Sequence, residues 1–297
     1  MPDPQDGKRT LAALRVLHME LEPDLRDVYV EARPDANFVR WYLRGCGVAH
    51  PSVYAIDDRV VVDAERVLAC GGEIGPRGRL MALAAEVGVW SVGTDMLGLT
   101  CIVDADRDYV FPSTELSQLS RTDVGSLDVY AFQERPLQQF FDLVLGTREA
   151  ASGVIEELLP VLNELFLIRA LLHLDGPDIP MLPSFVACCE FTRSGVRVDS
   201  REVLRRSLAI VGEGGRLGSF LARLEALRGK LPPERLKAVR GHDIAPLLIA
   251  RLGLKNDWAK PLLVEQAWRG CLSPEDLHPW PLFEELRRRV AAPLDLK

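Results

Sequence analysis

The chain is poor in the features that mark membrane, secreted or zinc-binding proteins. No apolar run reaches the roughly 18 residues that a membrane-spanning helix needs. The longest stretch, Val154 to Leu174, is broken by Glu156, Glu157, Pro160, Glu164, Arg169 and His173, so no membrane partner is expected. Residues Met1 to Arg9 are polar and carry Pro2 and Pro4, unlike a secretory leader. The six cysteines (46, 70, 101, 188, 189 and 271) include no CxxC pair, and most sit among apolar residues. That pattern suits reduced thiols in a cytoplasmic protein better than disulfides or zinc ligands. Aromatic residues are only 7% of the chain. No Walker A sequence, nucleophile elbow, internal repeat or low-complexity segment is present. ATP hydrolysis and serine-hydrolase chemistry therefore have no motif to stand on.

What remains is an ordinary globular composition, 47% hydrophobic and 27% charged over 297 residues, enough for two domains. The net charge of −7 argues against a general nucleic-acid coat protein. It leaves room for a nuclease whose basic surface is local. Arginine clusters at Arg201, Arg205, Arg206 and at Arg287, Arg288, Arg289 read as solvated helix faces.

The pattern along the chain divides near residue 135. Leu11 to Leu21 has helical spacing. Asp27-Val28-Tyr29-Val30 is a short β-rich run closed by Glu31, and Pro34 with Asp35 opens a helix, Asp35 acting as its cap. Strands are expected within Val53 to Val62, at Val67 to Cys70, at Leu99 to Val103 and at Leu127 to Phe132, with a helix from Arg77 to Val87. Gly71 and Gly72 form a tight turn. Strands alternating with helices imply a mostly parallel sheet with helices on both faces. Ligands of such sheets bind at the carboxyl ends of the strands, where Glu31 and Asp104 fall. From Pro136 onward the sequence reads as helices (137–145, 149–173, 200–210, 216–229, 233–240, 243–252, 259–269 and 280–291), interrupted by a hairpin at 185–198 that turns at Ser194-Gly195.

The chemistry-bearing pattern is Glu31 with Asp104-Ala105-Asp106. A divalent ion that polarises a phosphate takes hard oxygen ligands, and magnesium binds through one or two carboxylates plus water and phosphate. Two aspartates at i and i+2, leaving a buried strand, can share such an ion with a carboxylate from a neighbouring strand end. Carboxylates so crowded repel one another, so neutralising one is expected to hold or raise the melting temperature. Asp104 to Glu115 also mimics a calcium loop, but Tyr109 stands where that loop needs glycine. Gly212 to Gly218 has the wrong spacing for a dinucleotide fingerprint and reads as a helix–helix turn. His242 precedes a helix and reads as a cap or hydrogen-bonding core residue, with phosphate contact as the alternative.

These residues resemble a known family. Val28-Tyr29-Val30-Glu31, then Cys70-Gly71-Gly72, then Ile102-Val103-Asp104-Ala105-Asp106-Arg107-Asp108 follow the Toprim pattern of topoisomerases, primases and overcoming-lysogenisation-defect nucleases. Gly241-His242-Asp243 resembles the late Gly-His-Asp of a Toprim-like family with a helical C-terminal half, some of whose members work beside an ABC-type ATPase in phage defence. The resemblance implies a tail and helix over 1–24, a Toprim-like α/β metal-binding domain over 25–135 and a mainly α-helical domain over 136–297. It implies a magnesium- or manganese-dependent nuclease acting on RNA (tRNA among the candidates) or DNA, with Glu31, Asp104 and Asp106 as catalytic and metal-binding residues. Asp35, Gly71, Gly72, Asp108 and His242 would support them. An ABC-type ATPase or a second copy of the chain is the expected partner, docking on the helical half, where Trp258, Trp268, Trp280 and Phe283 lie among prolines; each of these aromatics taken singly reads as core packing. Ala32, in place of a glycine, and Glu73, in place of a basic residue, depart from the family pattern, as does a Leu127–Phe132 strand without its glutamate. Those departures point to the alternative, a catalytically altered Toprim-fold interaction or sensing subunit of an ATPase-containing complex.

Overall fold

A computed structural model describes residues 7–71, 73–90, 98–106, 108–110, 115–175, 179–192 and 195–290. The chain separates into two compact units. The first comprises Met1–Asp104, Thr114–Asp123 and Pro274–Lys297; the second comprises Ala105–Ser113 and Val124–Ser273.

The first unit is α/β. Its strands are β1 (Arg9–Thr10), β2 (Asp27–Val30), β3 (Ser52–Ala55), β4 (Val60–Val61), β5 (Leu99–Val103) and β6 (Leu119–Arg121). Four of them form a parallel sheet in the order β3-β2-β5-β6, and β1 pairs with β4 apart from it. Every residue of β2 and β5 is buried, as expected of central strands covered on both faces. Side chains alternate across the sheet. Tyr29, Leu99, Cys101 and Val103 join one core with Leu80, Leu83 and Val87 of the Pro76–Trp90 helix and with Leu11 and Leu14. On the opposite face, Thr100 Oγ1 lies 3.5 Å from Arg289 Nη1 of the Pro281–Val290 helix. There Phe283 meets Tyr42 edge to face, with ring centroids 4.7 Å apart, and the Tyr42 hydroxyl donates to the Phe283 carbonyl. The sheet thus carries helices on both faces.

The second unit is mainly helical. Its longest element, Ala151–Asp175, contains Pro160, and helices Ser200–Ile210, Leu217–Arg228, Gly241–Leu252 and Pro261–Arg269 follow. Strands β7 (Cys189–Thr192) and β8 (Gly195–Val198) make an antiparallel hairpin. Gly195 has the left-handed φ that a turn there needs, and Ser194 lies outside the described residues. Asn163, buried in the long helix, donates to the carbonyls of Arg235 and Ala238 at 2.8 and 2.7 Å. Trp268 is fully buried and its indole N–H donates to the Ala131 carbonyl at 2.6 Å.

Three local expectations are corrected. Val67 to Cys70 is not a strand: Ala64–Ala69 is a helix whose N-cap, Asp63, accepts from the Arg66 N–H at 2.9 Å. Val67 faces the core while Leu68 is 60% exposed; a four-residue apolar run cannot distinguish that helix from a strand. Leu127–Ala131 is a 3-10 turn, not a strand, and the fourth strand of the sheet is the short β6, which has no apolar run to announce it. The glutamate missing from 127–132 is therefore no missing strand-end residue. Within 233–240 only a single 3-10 turn forms, over Arg235–Ala238, and the backbone is extended again at Val239.

Candidate functional site

The parallel register of β2 and β5 pairs Asp27 with Leu99 and Tyr29 with Cys101, so Glu31 and Asp104 both leave the sheet at its carboxyl edge. They meet there: the Asp104 N–H donates to Glu31 Oε1 at 3.1 Å. Arg77, in the first turn of the Pro76–Trp90 helix, stands beside them. Its Nη1 donates to the Asp104 carbonyl and lies 3.9 Å from Glu31 Oε1, both side chains being about one-quarter exposed.

The same edge carries more charge than the sequence motif indicated. Asp57 and Asp58 follow β3 in the turn Ile56–Arg59. Arg79 grips Asp57 with two bonds of 2.6 and 2.8 Å, and Arg33 grips Asp58 at 2.7 and 2.9 Å. The Arg33 bonds hold the Asp58 carboxyl below its ordinary value. Acidic residues follow three adjacent strand ends, and the carboxylates of Glu31, Asp57 and Asp58 each have an arginine beside them. Arg77 and Arg79 were legible only as the start of a helix, since nothing in their spacing aims them at Glu31 or Asp57.

The supporting residues fall in different places. Asp35 caps its helix, accepting from the Ala32 N–H at 3.0 Å, which is the reach of a third-position acid back to the N-cap. Gly71 has φ +70° at the end of the Ala64–Ala69 helix, a left-handed position where glycine costs least. Gly72 lies outside the described residues. Asp106 belongs to the second unit. It has φ +43°, uncommon for a residue with a side chain, and its N–H donates to the Gly125 carbonyl at 2.9 Å. There it lines a cavity with Arg169 and Arg240. Asp108, also in the second unit, closes a turn through its N–H to the Ala105 carbonyl at 2.8 Å.

His242 begins a separate cluster in the second unit. Its Nδ1 lies 3.3 Å from Glu265 Oε2, and one ligand atom each from Asp128, His242 and Glu265 lie within 4.8 Å of one another. The Glu265 bond raises the His242 pKa from its ordinary 6.5, and the same bond lowers that of Glu265 from 4.5. Burial pushes the Asp128 carboxyl up. One imidazole and two carboxylates can hold a transition metal. Arg269 already lies 2.6 Å from Asp128 and 3.8 Å from Glu265, supplying a positive charge of the protein's own.

The donor sets therefore differ. Glu31 and Asp104 offer only hard oxygens, which fit magnesium or manganese. The Asp128 group offers an imidazole but is partly neutralised. All six cysteines are free thiols. Among the described residues no helix is long and apolar enough to cross a membrane. No model of a known protein family matches the chain, and no curated protein matches it.

Proposed function

We propose that the carboxyl edge of the first unit's sheet is a Toprim-like phosphodiesterase centre that cleaves RNA or DNA. The observation that carries this reading is the bond from the Asp104 N–H to the Glu31 carboxylate beside Arg77, which brings two acidic residues and a guanidinium to the ends of two central parallel strands. Glu31 and Asp104 would hold a magnesium or manganese ion. Such an ion, when bound, polarises the phosphate and lowers the pKa of its water. Arg77, fixed through the Asp104 carbonyl, would place a positive charge beside the bound phosphate and offset charge developing on it. Arg79 and Arg33 anchor the acids of the adjacent strand end and leave this pair as the candidate ion ligands. Following the family resemblance, the chain would serve as an effector of phage defence, restrained by an ABC-type ATPase or by self-association.

The test is cleavage of supercoiled plasmid and of total tRNA by the full chain, with magnesium, with manganese and with chelator. The expected result is metal-dependent cleavage of one substrate, lost in Glu31→Gln and Asp104→Asn. Absence of cleavage with either ion, or full activity in both variants, overturns it.

Arg77 also favours a second reading. A guanidinium 3.9 Å from Glu31 competes with an ion for that carboxylate, which suits a Toprim-fold interaction subunit that has given up catalysis. Restoration of ion binding in Arg77→Ala, in a chain otherwise inert toward both substrates, would select this alternative.

A further inference from the structure

The second unit contains a cavity of about 300 Å³ that takes no part in the strand-edge reading. Its lining is mixed in chemistry: Phe166, Leu172, Ile179 and Met181 are apolar, whereas Arg169, Arg240, Asp106, Ser126 and His173 are polar. The two arginines are held differently. Arg169 is clamped by Asp243 through bonds of 3.0 and 2.6 Å. Arg240, just before the Gly241–Leu252 helix, is exposed to solvent and is depressed in basicity by partial burial and by Arg169, with Asp243 and Asp106 opposing. Among the described residues, no carboxylate lies within ion-pair distance of Arg240.

Ser126 supplies an independent observation. The residue is only 9% exposed, and its hydroxyl is buried without a hydrogen-bond partner among the described residues. Buried hydroxyls are ordinarily paired, and an unpaired one needs a reason. The wall that holds it is firm. A Cβ at Gly125 would collide with the Val239 carbonyl, and one at Gly241 would lie 2.9 Å from Ser126 Oγ. Residues 125–126 and 239–241 are thus packed closely together along the lining of the cavity.

An arginine without a carboxylate partner and a spare hydroxyl suit an anionic head, and a guanidinium fork matches phosphate. Asp106 would repel a second anionic end but accepts hydrogen bonds from hydroxyl or amino groups. The apolar lining takes a flat body. A cavity at the small end of the ligand-site range admits one small molecule rather than a polymer. We propose that this cavity binds a nucleoside monophosphate, its phosphate on Arg240 and Ser126, its base against Phe166 and Met181, and its sugar hydroxyls toward Asp106.

The test is isothermal titration calorimetry of the full chain with AMP, GMP, CMP and UMP, using inorganic phosphate and benzoate as comparison anions. The expected result is one-to-one binding of at least one nucleotide, tighter than either comparison anion. Arg240→Gln should weaken it by about tenfold or more, the scale of one lost charge-assisted contact. Ile179→Trp, which fills the cavity from its half-buried side, should weaken it comparably if Arg240→Gln misfolds. Glu31→Ala should retain it, which separates this site from the strand edge. Failure of all four nucleotides to bind overturns the proposal. So does equal binding of phosphate or benzoate, unchanged affinity in both cavity variants, or loss of binding in Glu31→Ala.

Discussion

The sharpest consequence of the strand-edge geometry concerns Glu31 and stability. Repulsion among clustered carboxylates, the expectation from sequence, makes removal of one neutral or stabilising. The structure reverses that sign. Glu31 Oε1 accepts the Asp104 N–H at 3.1 Å, and Arg77 lies 3.9 Å away. Glu31→Ala therefore leaves a strand-end amide without its acceptor and Arg77 with a weaker partner. A hydrogen bond to a charged acceptor contributes about 1.5–3 kcal/mol. With Glu31 about one-quarter exposed, water replaces part of it, so a loss of about 1–2 kcal/mol is expected. In a unit of this size that is a fall of roughly 2–4 °C per kcal/mol. Glu31→Gln keeps an oxygen acceptor and should cost under about 1 kcal/mol while still removing the charge an ion needs. Chelator-treated protein, melted by calorimetry, gives the comparison. A melting temperature for Glu31→Ala equal to or above that of the parent would show that repulsion dominates and refute the reasoning.

Three further perturbations follow from the second unit. His242 is raised and Glu265 lowered by their shared bond. The raised histidine contributes fully below pH 6.5 and fades as pH rises through its folded value, while the lowered glutamate contributes fully above pH 4.5 and fades as pH falls. The melting-temperature deficit of His242→Ala should accordingly be largest between pH 4.5 and 6.5, and a flat deficit to pH 9 would contradict the pairing. Asp243 is only 3% exposed in its pair with Arg169, so Asp243→Ala leaves Arg169 without its carboxylate and should cost about 3–5 kcal/mol by urea denaturation, partly recovered by adding Arg169→Leu. Trp268→Ala empties a fully buried site and orphans the Ala131 carbonyl; a loss of about 3–5 kcal/mol is expected, and a loss under 1 kcal/mol would place that indole outside the core.

What the sequence made legible tracks the length and periodicity of each element. The central strands, although short, read correctly because β2 and β5 are apolar or β-rich runs followed directly by acids, and the long helices read correctly because their apolar spacing repeats over several turns. The failures are all short. Ala64–Ala69 presents four apolar residues in a row, and only the Asp63 cap separates that helix from a strand. Leu127–Ala131 is buried at four of five positions, which imitates a covered strand, because a 3-10 turn inside a core also needs apolar residues throughout. The aromatic residues of the C-terminal half follow the reading that each one singly packs the core. Trp268 and Phe283 are fully buried, and Trp258 and Trp280 are half-buried; the prolines break helices while the rings still fill the core.

The site was legible to the extent that its chemistry lies in backbone placement. A residue that ends a parallel strand is positioned by the strand, so Glu31 and Asp104 could be paired across more than 70 residues from the pattern alone. What could not be read was the cation at each place, because an arginine reaches its partner through a long side chain whose direction depends on packing. Arg77 finds Asp104 from a helix start, Arg269 finds Asp128, and Arg240 stands open beside Asp106. That difference also separates the two aspartates of the motif. Spacing treats Asp104 and Asp106 as one ligand pair; Asp106 has a left-handed backbone, its N–H donates to the Gly125 carbonyl, and its charge acts on Arg240. A pair of acids two residues apart is therefore better judged by the surroundings of each one than by the spacing between them. On that criterion Asp104, with Glu31 and Arg77, carries the phosphodiester proposal, and Asp106 carries the cavity.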